Sequence, residues 1–134
     1  MNPEITNIDV GGVLQAGDNS FDDNLLTHDG DVLEGTLLAR STATNKLVPY
    51  VKGGAVAGNG IVNSVLTYEG VTNAAPGDTA IRNLIAGKVR KDKLVIDADG
   101  DASNIDTDEI DALNALGIIA SDVQELDVPD NPQA

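Results

Sequence analysis

Asp97, Asp99, Asp101, Ser103 and Asp108 are the residues of this chain best suited to hold a hard cation. Alternate aspartates can point several carboxylate oxygens at one Ca2+ ion. In the twelve-residue loop of an EF-hand, Asp97, Asp99 and Asp101 would take positions 1, 3 and 5. Position 6 should be glycine and is Ala102; position 12 should be a bidentate glutamate and is Asp108, with Glu109 one residue late. The residues ahead of the loop read as a strand, where an EF-hand has a helix. The competing reading is a solvated acidic loop that ends in a helix cap.

Other chemistry has less to build on. His28 is the only histidine, and it falls in a segment that nothing in the sequence positions. There is no cysteine, which removes a thiol nucleophile, a thiolate metal site and any disulfide. Carboxylates are plentiful, but an acid–base pair needs a pocket that separates the two pKa values. Phe21, Tyr50 and Tyr68 are the only aromatics available to line one. The Gly-rich stretch Lys52–Gly60 lacks the Gly-Lys-Ser/Thr that would make it a phosphate loop. Lys93 at a turn resembles the lysine of lipoyl modules only in position, and it reads as a solvated turn residue. No enzyme activity and no cofactor is expected.

Composition narrows the partners. The chain has 134 residues and a net charge of −14, from 22 acids against 8 bases. A phosphate backbone needs a basic stripe to displace its counterions, so direct nucleic-acid binding is disfavoured. Anionic membrane surfaces are disfavoured by the same charge. No run of about eighteen apolar residues exists, so no membrane span is expected. The N-terminus has neither a basic region nor an apolar h-region, so no signal peptide is expected. Seventeen of the acids are aspartate, a residue of turns and helix caps, which suits a loop-rich β protein. The core must be built from Val, Leu, Ile and Ala, and a small core of small side chains often needs a partner subunit.

The elements that would position these residues fall in three parts. Residues 1–34 read as an N-terminal arm, flexible until bound. Glycines and scattered acids interrupt it, yet Ile5, Ile8, Val10, Val13, Leu14, Phe21, Leu25 and Leu26 recur as apolar anchors. Spaced anchors in a segment too polar to fold alone suggest ordering on a partner. Residues 35–120 read as the folded domain, and 121–134 as an acidic flexible tail. Within the domain, Thr36–Arg40 and Lys46–Val51 read as a hairpin around STATN, with Pro49 confined to an edge or bulge. Ile61–Tyr68 reads as a strand with two mixed faces, one for the core and one for a neighbouring subunit. Thr79–Ala86 is a strand running into a bend at Gly87, and KVRKDKLVI supplies the last strands around a tight turn at Lys91–Lys93. Thr107–Leu116 is the clearest helix: Asp106 at the N-cap and Glu109 at N3 form a capping box, and Gly117 stops it. Ile110, Leu113 and Leu116 would form its apolar stripe, and Ile118 and Ile119 would bury its exit. The fold class expected is α+β, mainly β: a small sandwich- or barrel-like domain with one or two short helices and an extended N-terminal arm.

Three segments together resemble the head decoration proteins of tailed phages, the lambda-like capsid-stabilising family. The first is GTLLARSTATNKLVPY, Gly35–Tyr50, similar to the hairpin that opens the family's folded domain. The second is VLTYEGVTNAAPGDTAIRNLIAGKVRKDKL, Val65–Leu94, similar to its central strands and an Ala-Gly-x-Val turn. The third is IDALNALGIIA, Ile110–Ala120, similar to a short helix that stops at glycine before an apolar pair. The resemblance covers about residues 33–120. It implies a homotrimer on the outer surface of the virion, seated at three-fold sites on the major capsid protein and stabilising the expanded, DNA-filled head. On that reading the anchors between Ile5 and Leu26 grip the shell, with Ser41–Asn45 and Lys52–Gly60 as further contact candidates. The alternative is a calcium-dependent binding or adhesion module using the Asp97–Asp108 loop.

Overall fold

A computed structural model describes residues 12–15, 18–68, 70–72 and 76–121. Strand β1 is Ser20–His28, β2 Leu37–Arg40, β3 Leu47–Pro49, β4 Ser64–Leu66 and β5 Gly77–Arg90. A 3-10 turn at Lys91–Lys93 follows, then helix α1, Thr107–Leu116, and strand β6, Ile118–Ser121. The strands run in the order β1-β3-β2-β4-β5-β6, and β5 returns to pair with β1, so five of them close a barrel. The fold is therefore mainly β with one helix, as the sequence reading expects.

The hairpin of β2 and β3 pairs antiparallel, with Ala39 opposite Val48. Its turn places Asn45 at φ 62°, a left-handed position that asparagine tolerates. Pro49 ends β3, beyond the single parallel contact that β3 makes with β1 at Leu26–Leu47, so its missing N–H interrupts no ladder there. The longest strand, β5, organises the rest. Gly77–Leu84 and Ala86 pair with β1, the middle with β4, and Gly87–Arg90 run parallel to β6.

Each of the five barrel strands supplies one residue to a buried cluster: Leu26, Leu47, Leu38, Leu66 and Ile81, joined by Val32. Because side chains alternate, these mark the inward face, and small barrels are filled by such side chains. A second, larger cluster uses the opposite faces of the same strands. Leu37, Ala39, Val65 and Leu84 point outward and are covered by Leu113 of α1, Ile118 of β6, and Val13, Leu94 and Ile96.

Four differences from the sequence reading have physical causes. Residues 20–28 are a barrel strand rather than part of an arm. Without β1 the edges of β3 and β5 would be bare, and its inward residues Asn24, Leu26 and His28 alternate too weakly in hydrophobicity to announce a strand. Both faces of β4 are buried inside this chain, so its mixed pattern reflects two cores. The strand expected after Lys93 makes only isolated bridges, Thr36–Val95 and Ile96–Asp101. The last strand instead follows the helix, where Ile118 is buried and Ile119 faces solvent.

Gly35 shows why the hairpin can enter so tightly. At φ 92° it sits where a Cβ would collide with the Lys93 carbonyl. That close approach lets Val95 N–H donate to the Gly35 carbonyl at 2.9 Å.

Candidate binding surface

The described part of the N-terminal segment is pinned along the end of β5. Arg90 N–H donates to the Val13 carbonyl at 2.7 Å, and Gln15 N–H to the Lys88 carbonyl at 3.1 Å. Val13 itself is 1% exposed. The Gln15 side-chain amide donates to the Val89 carbonyl at 2.8 Å and to Ser121 Oγ at 3.0 Å. Gln15 thus ties the segment after Gly12 to the end of β6 at Ser121.

The eight anchor residues separate into three groups. Ile5, Ile8 and Val10 lie outside the described residues. Val13 and Leu26 are core residues, so burying each stabilises the fold by about 1.5–3 kcal/mol, and lending them to a partner would forfeit that. Leu14 bridges to Val89 and is partly buried. Phe21 packs against Tyr68 with ring centroids 5.4 Å apart. Leu25 alone of the described anchors is exposed, at 43%.

The two loops expected as contact candidates are neighbours. Thr42 N–H in the hairpin turn donates to the Ala57 carbonyl at 2.9 Å. Val56 and Ile61 on the second loop are about 70% exposed. Ile61 lines an open groove of about 550 Å³ with Ala112, Ala115 and Leu116 of α1. Ile61 and Leu116 thus expose apolar surface on the two sides of one groove.

That groove is bounded by a charged knot that the sequence reading missed. Glu109, read as a capping residue, is 1% exposed. Its carboxylate accepts from Tyr50 Oη at 2.6 Å, from Lys52 Nζ at 2.8 Å, and from Asp106 N–H at 3.0 Å. Asp106 caps α1 by accepting from Asp108 N–H at 2.8 Å, so the expected capping box is present. Burial works to raise the Glu109 carboxyl, but the Lys52 ammonium and the Tyr50 hydroxyl outweigh it and hold it below its ordinary value. Burial, then the hydrogen bond to Glu109, push Tyr50 up to about 12. The apolar stripe of α1 shifts accordingly: Leu113 is buried, while Leu116 faces the groove. The only signals in the sequence were Tyr50 and Lys52, which carry no spacing relation to Glu109.

The acidic loop does not gather its carboxylates. Among the described residues no group of three or more His, Asp or Glu side chains lies close enough to hold a metal. Asp101 instead accepts from Ser103 N–H at 2.9 Å, and Asp99 from the Asn104 amide at 3.0 Å. Asp108 sits in the first turn of α1, with its N–H given to Asp106. Burial raises the Asp97 carboxyl above its ordinary value. His28 is also placed differently from the exposed residue expected. It is buried between the Gly30 carbonyl, 2.7 Å from Nδ1, and Thr79 Oγ1, 2.9 Å from Nε2. It lies at the end of β1, with one ring nitrogen against a carbonyl and the other against a threonine hydroxyl.

A search of curated proteins gives no match for this chain. The family profile described as bacteriophage lambda head decoration protein D matches residues 9–118. The match begins before β1 and ends in β6, so it takes in the whole barrel, the helix and the pinned segment. With most of its length matched, the chain belongs to the family of the bacteriophage lambda head decoration protein D.

Proposed function

We propose that this protein binds the outside of a phage head as a homotrimer at three-fold sites of the major capsid protein and stabilises the expanded, DNA-filled shell. Family membership supports the coarse role, decoration of a phage head. The observation that carries the finer reading is the pinning of Val13–Gln15 along β5. Residues 1–11 are the capsid strap in this account, with Ile5, Ile8 and Val10 as its anchors. Whatever they grip is tied through Val13 to the strand that pairs with β1, β4 and β6. A pull on the strap is therefore borne by the barrel as a whole. The strap has the length to add a strand to a shell-protein sheet, where main-chain hydrogen bonds give affinity and alternate side chains give specificity.

Trimeric symmetry multiplies a weak grip. Three identical straps on one rigid body make the second and third contacts nearly intramolecular, which raises avidity by about 10²–10⁴ without new contacts. The exposed side chains of Ile61 and Leu116 around the groove support a subunit contact on that face. The test is direct. Light scattering of the purified protein should give three chains per particle, and an Ile61→Asp variant should give fewer. Undecorated heads mixed with the protein should then survive heating that ruptures bare heads. A monomer that leaves head stability unchanged would contradict the proposal.

A further inference from the structure

The end of the barrel interior opposite His28 is also polar, but it is not complete. Alternation from Leu26, Leu38, Leu66 and Ile81 places Asn24, Arg40, Ser64 and Asn83 on the inward faces of β1, β2, β4 and β5. Arg40 Nη2 donates to Asn24 Oδ1 at 3.2 Å, and Asn24 Nδ2 donates to Asn83 Oδ1 at 3.0 Å. Asn24 Nδ2 also donates to Asp22 Oδ2 at 3.2 Å. These neighbours fix the orientation of both amides. A guanidinium has no acceptor and a carboxylate no donor, so Asn24 must turn its oxygen to Arg40 and its nitrogen to Asp22. Asn83 must then turn its oxygen to Asn24. Its own nitrogen is left pointing elsewhere.

That nitrogen has no hydrogen-bond partner among the described residues, and neither does Ser64 Oγ. Both residues are 0% exposed. They are diagonal neighbours on one face: Leu66 opposes Asn83, and Ser64 lies two residues before Leu66. One donor and one hydroxyl, both buried without a partner on the same inward face, call for a small polar guest. A buried polar group left unsatisfied forfeits its hydration with no return, and there are two here. Trapping a water costs only its immobilisation entropy, which is less than the cost of leaving both groups unpaired. A water therefore wins over two orphans. An ion loses, because neither neutral group would offset its desolvation.

We propose that the barrel encloses an ordered water molecule that accepts from Asn83 Nδ2 and shares a hydrogen bond with Ser64 Oγ. It completes a relay from Arg40 through Asn24 and Asn83 to Ser64, which ties β2, β1, β5 and β4 together at this end. Because both protein groups are fully buried, the water exchanges only when the strands part.

Oxygen-17 relaxation dispersion counts long-lived waters without interference from hydroxyl protons. The wild-type chain should show a larger dispersion amplitude than a Ser64→Ala, Asn83→Leu double variant, by the contribution of one water. Equal amplitudes in two folded proteins would overturn the proposal. Should the double variant not fold, a wild-type crystal structure at a resolution that shows ordered water decides it. Density bridging the two side chains supports the site. A direct hydrogen bond between Ser64 Oγ and Asn83 Nδ2 overturns it.

Discussion

The cluster inside the barrel and the cluster beneath α1 are made of different materials. Inside, six aliphatic side chains meet, one from each of five strands and Val32, with the ionisable Arg40 and His28 kept to the barrel ends. Outside, aliphatic residues from strands, helix and loops share their cover with Tyr50, whose hydroxyl meets the ionised knot of Lys52 and Glu109. The first depends on volume and shape. The second depends on charge as well, so it should respond to pH where the first does not. A chain with few aromatics can close a barrel on leucine alone, but it holds its helix down with a polar clamp.

The largest effect should come from opening the interior. Leu38→Ala is expected to lose about 2–5 kcal/mol in urea unfolding, by nearly the same amount at any pH. A pH-dependent loss would show that the two clusters are not separate.

Removing the clamp should cost less. Glu109→Ala leaves the Tyr50 hydroxyl without its acceptor and Lys52 with only the exposed Asp106, at an expected cost of about 1–3 kcal/mol. Lys52 is partly exposed and can rehydrate, which keeps the figure below that of a fully buried pair. Thermal melts of the two variants side by side would order them.

The pH dependence separates the clusters further. The Glu109 and Asp106 carboxyls lie below their ordinary values in the folded state. Their contribution is therefore present above the ordinary carboxylate pKa and is lost as pH falls through the lower, folded value. Tyr50 is shifted the other way, from 10.0 to about 12, and Lys52 is raised too, chiefly by its hydrogen bond to Glu109. Their contribution is complete below about pH 10 and drains away as pH rises toward about 12. Tyr50→Phe should reduce the alkaline loss to the part that Lys52 carries, and should shrink the acid loss by the part its hydroxyl holds on Glu109. An unchanged alkaline limb would remove Tyr50 from the clamp.

The smallest effect is at the helix start. Asp106→Ala removes the acceptor for Asp108 N–H and should cost about 1 kcal/mol.

What the sequence made legible was local. The β2–β3 hairpin follows from a polar turn between two apolar runs, and α1 follows from Asp106, Glu109 and Gly117, which act within a few residues of each other. What it hid was non-local. Strand β1 carries Asn24 and His28 on its inward face, because the barrel ends are polar, and so it lacks the alternation of a half-buried strand. Strand β6 is four residues long and becomes a strand only because β5 extends past the barrel to meet it. Glu109 has the sequence position of a solvated cap, and its burial is decided by Tyr50 and Lys52, more than fifty residues away. Of the candidate contact residues, the pairing of the two loops through Thr42 and Ala57 was equally invisible. The anchors were recognised as apolar, but their order could not say that Val13 and Leu26 are retained by the chain's own core.

That last distinction sets the decisive experiment. A truncation through residue 30 would remove a barrel strand, whereas one through residue 11 spares every residue that packs or pairs in the described structure. Undecorated expanded heads should be incubated with the full chain or with a chain starting at Gly12, then pelleted and assayed for bound protein. The full chain should pellet with the heads, and the shortened chain should keep its oligomeric state and melting temperature yet remain in the supernatant. Equal pelleting of the two would contradict the account.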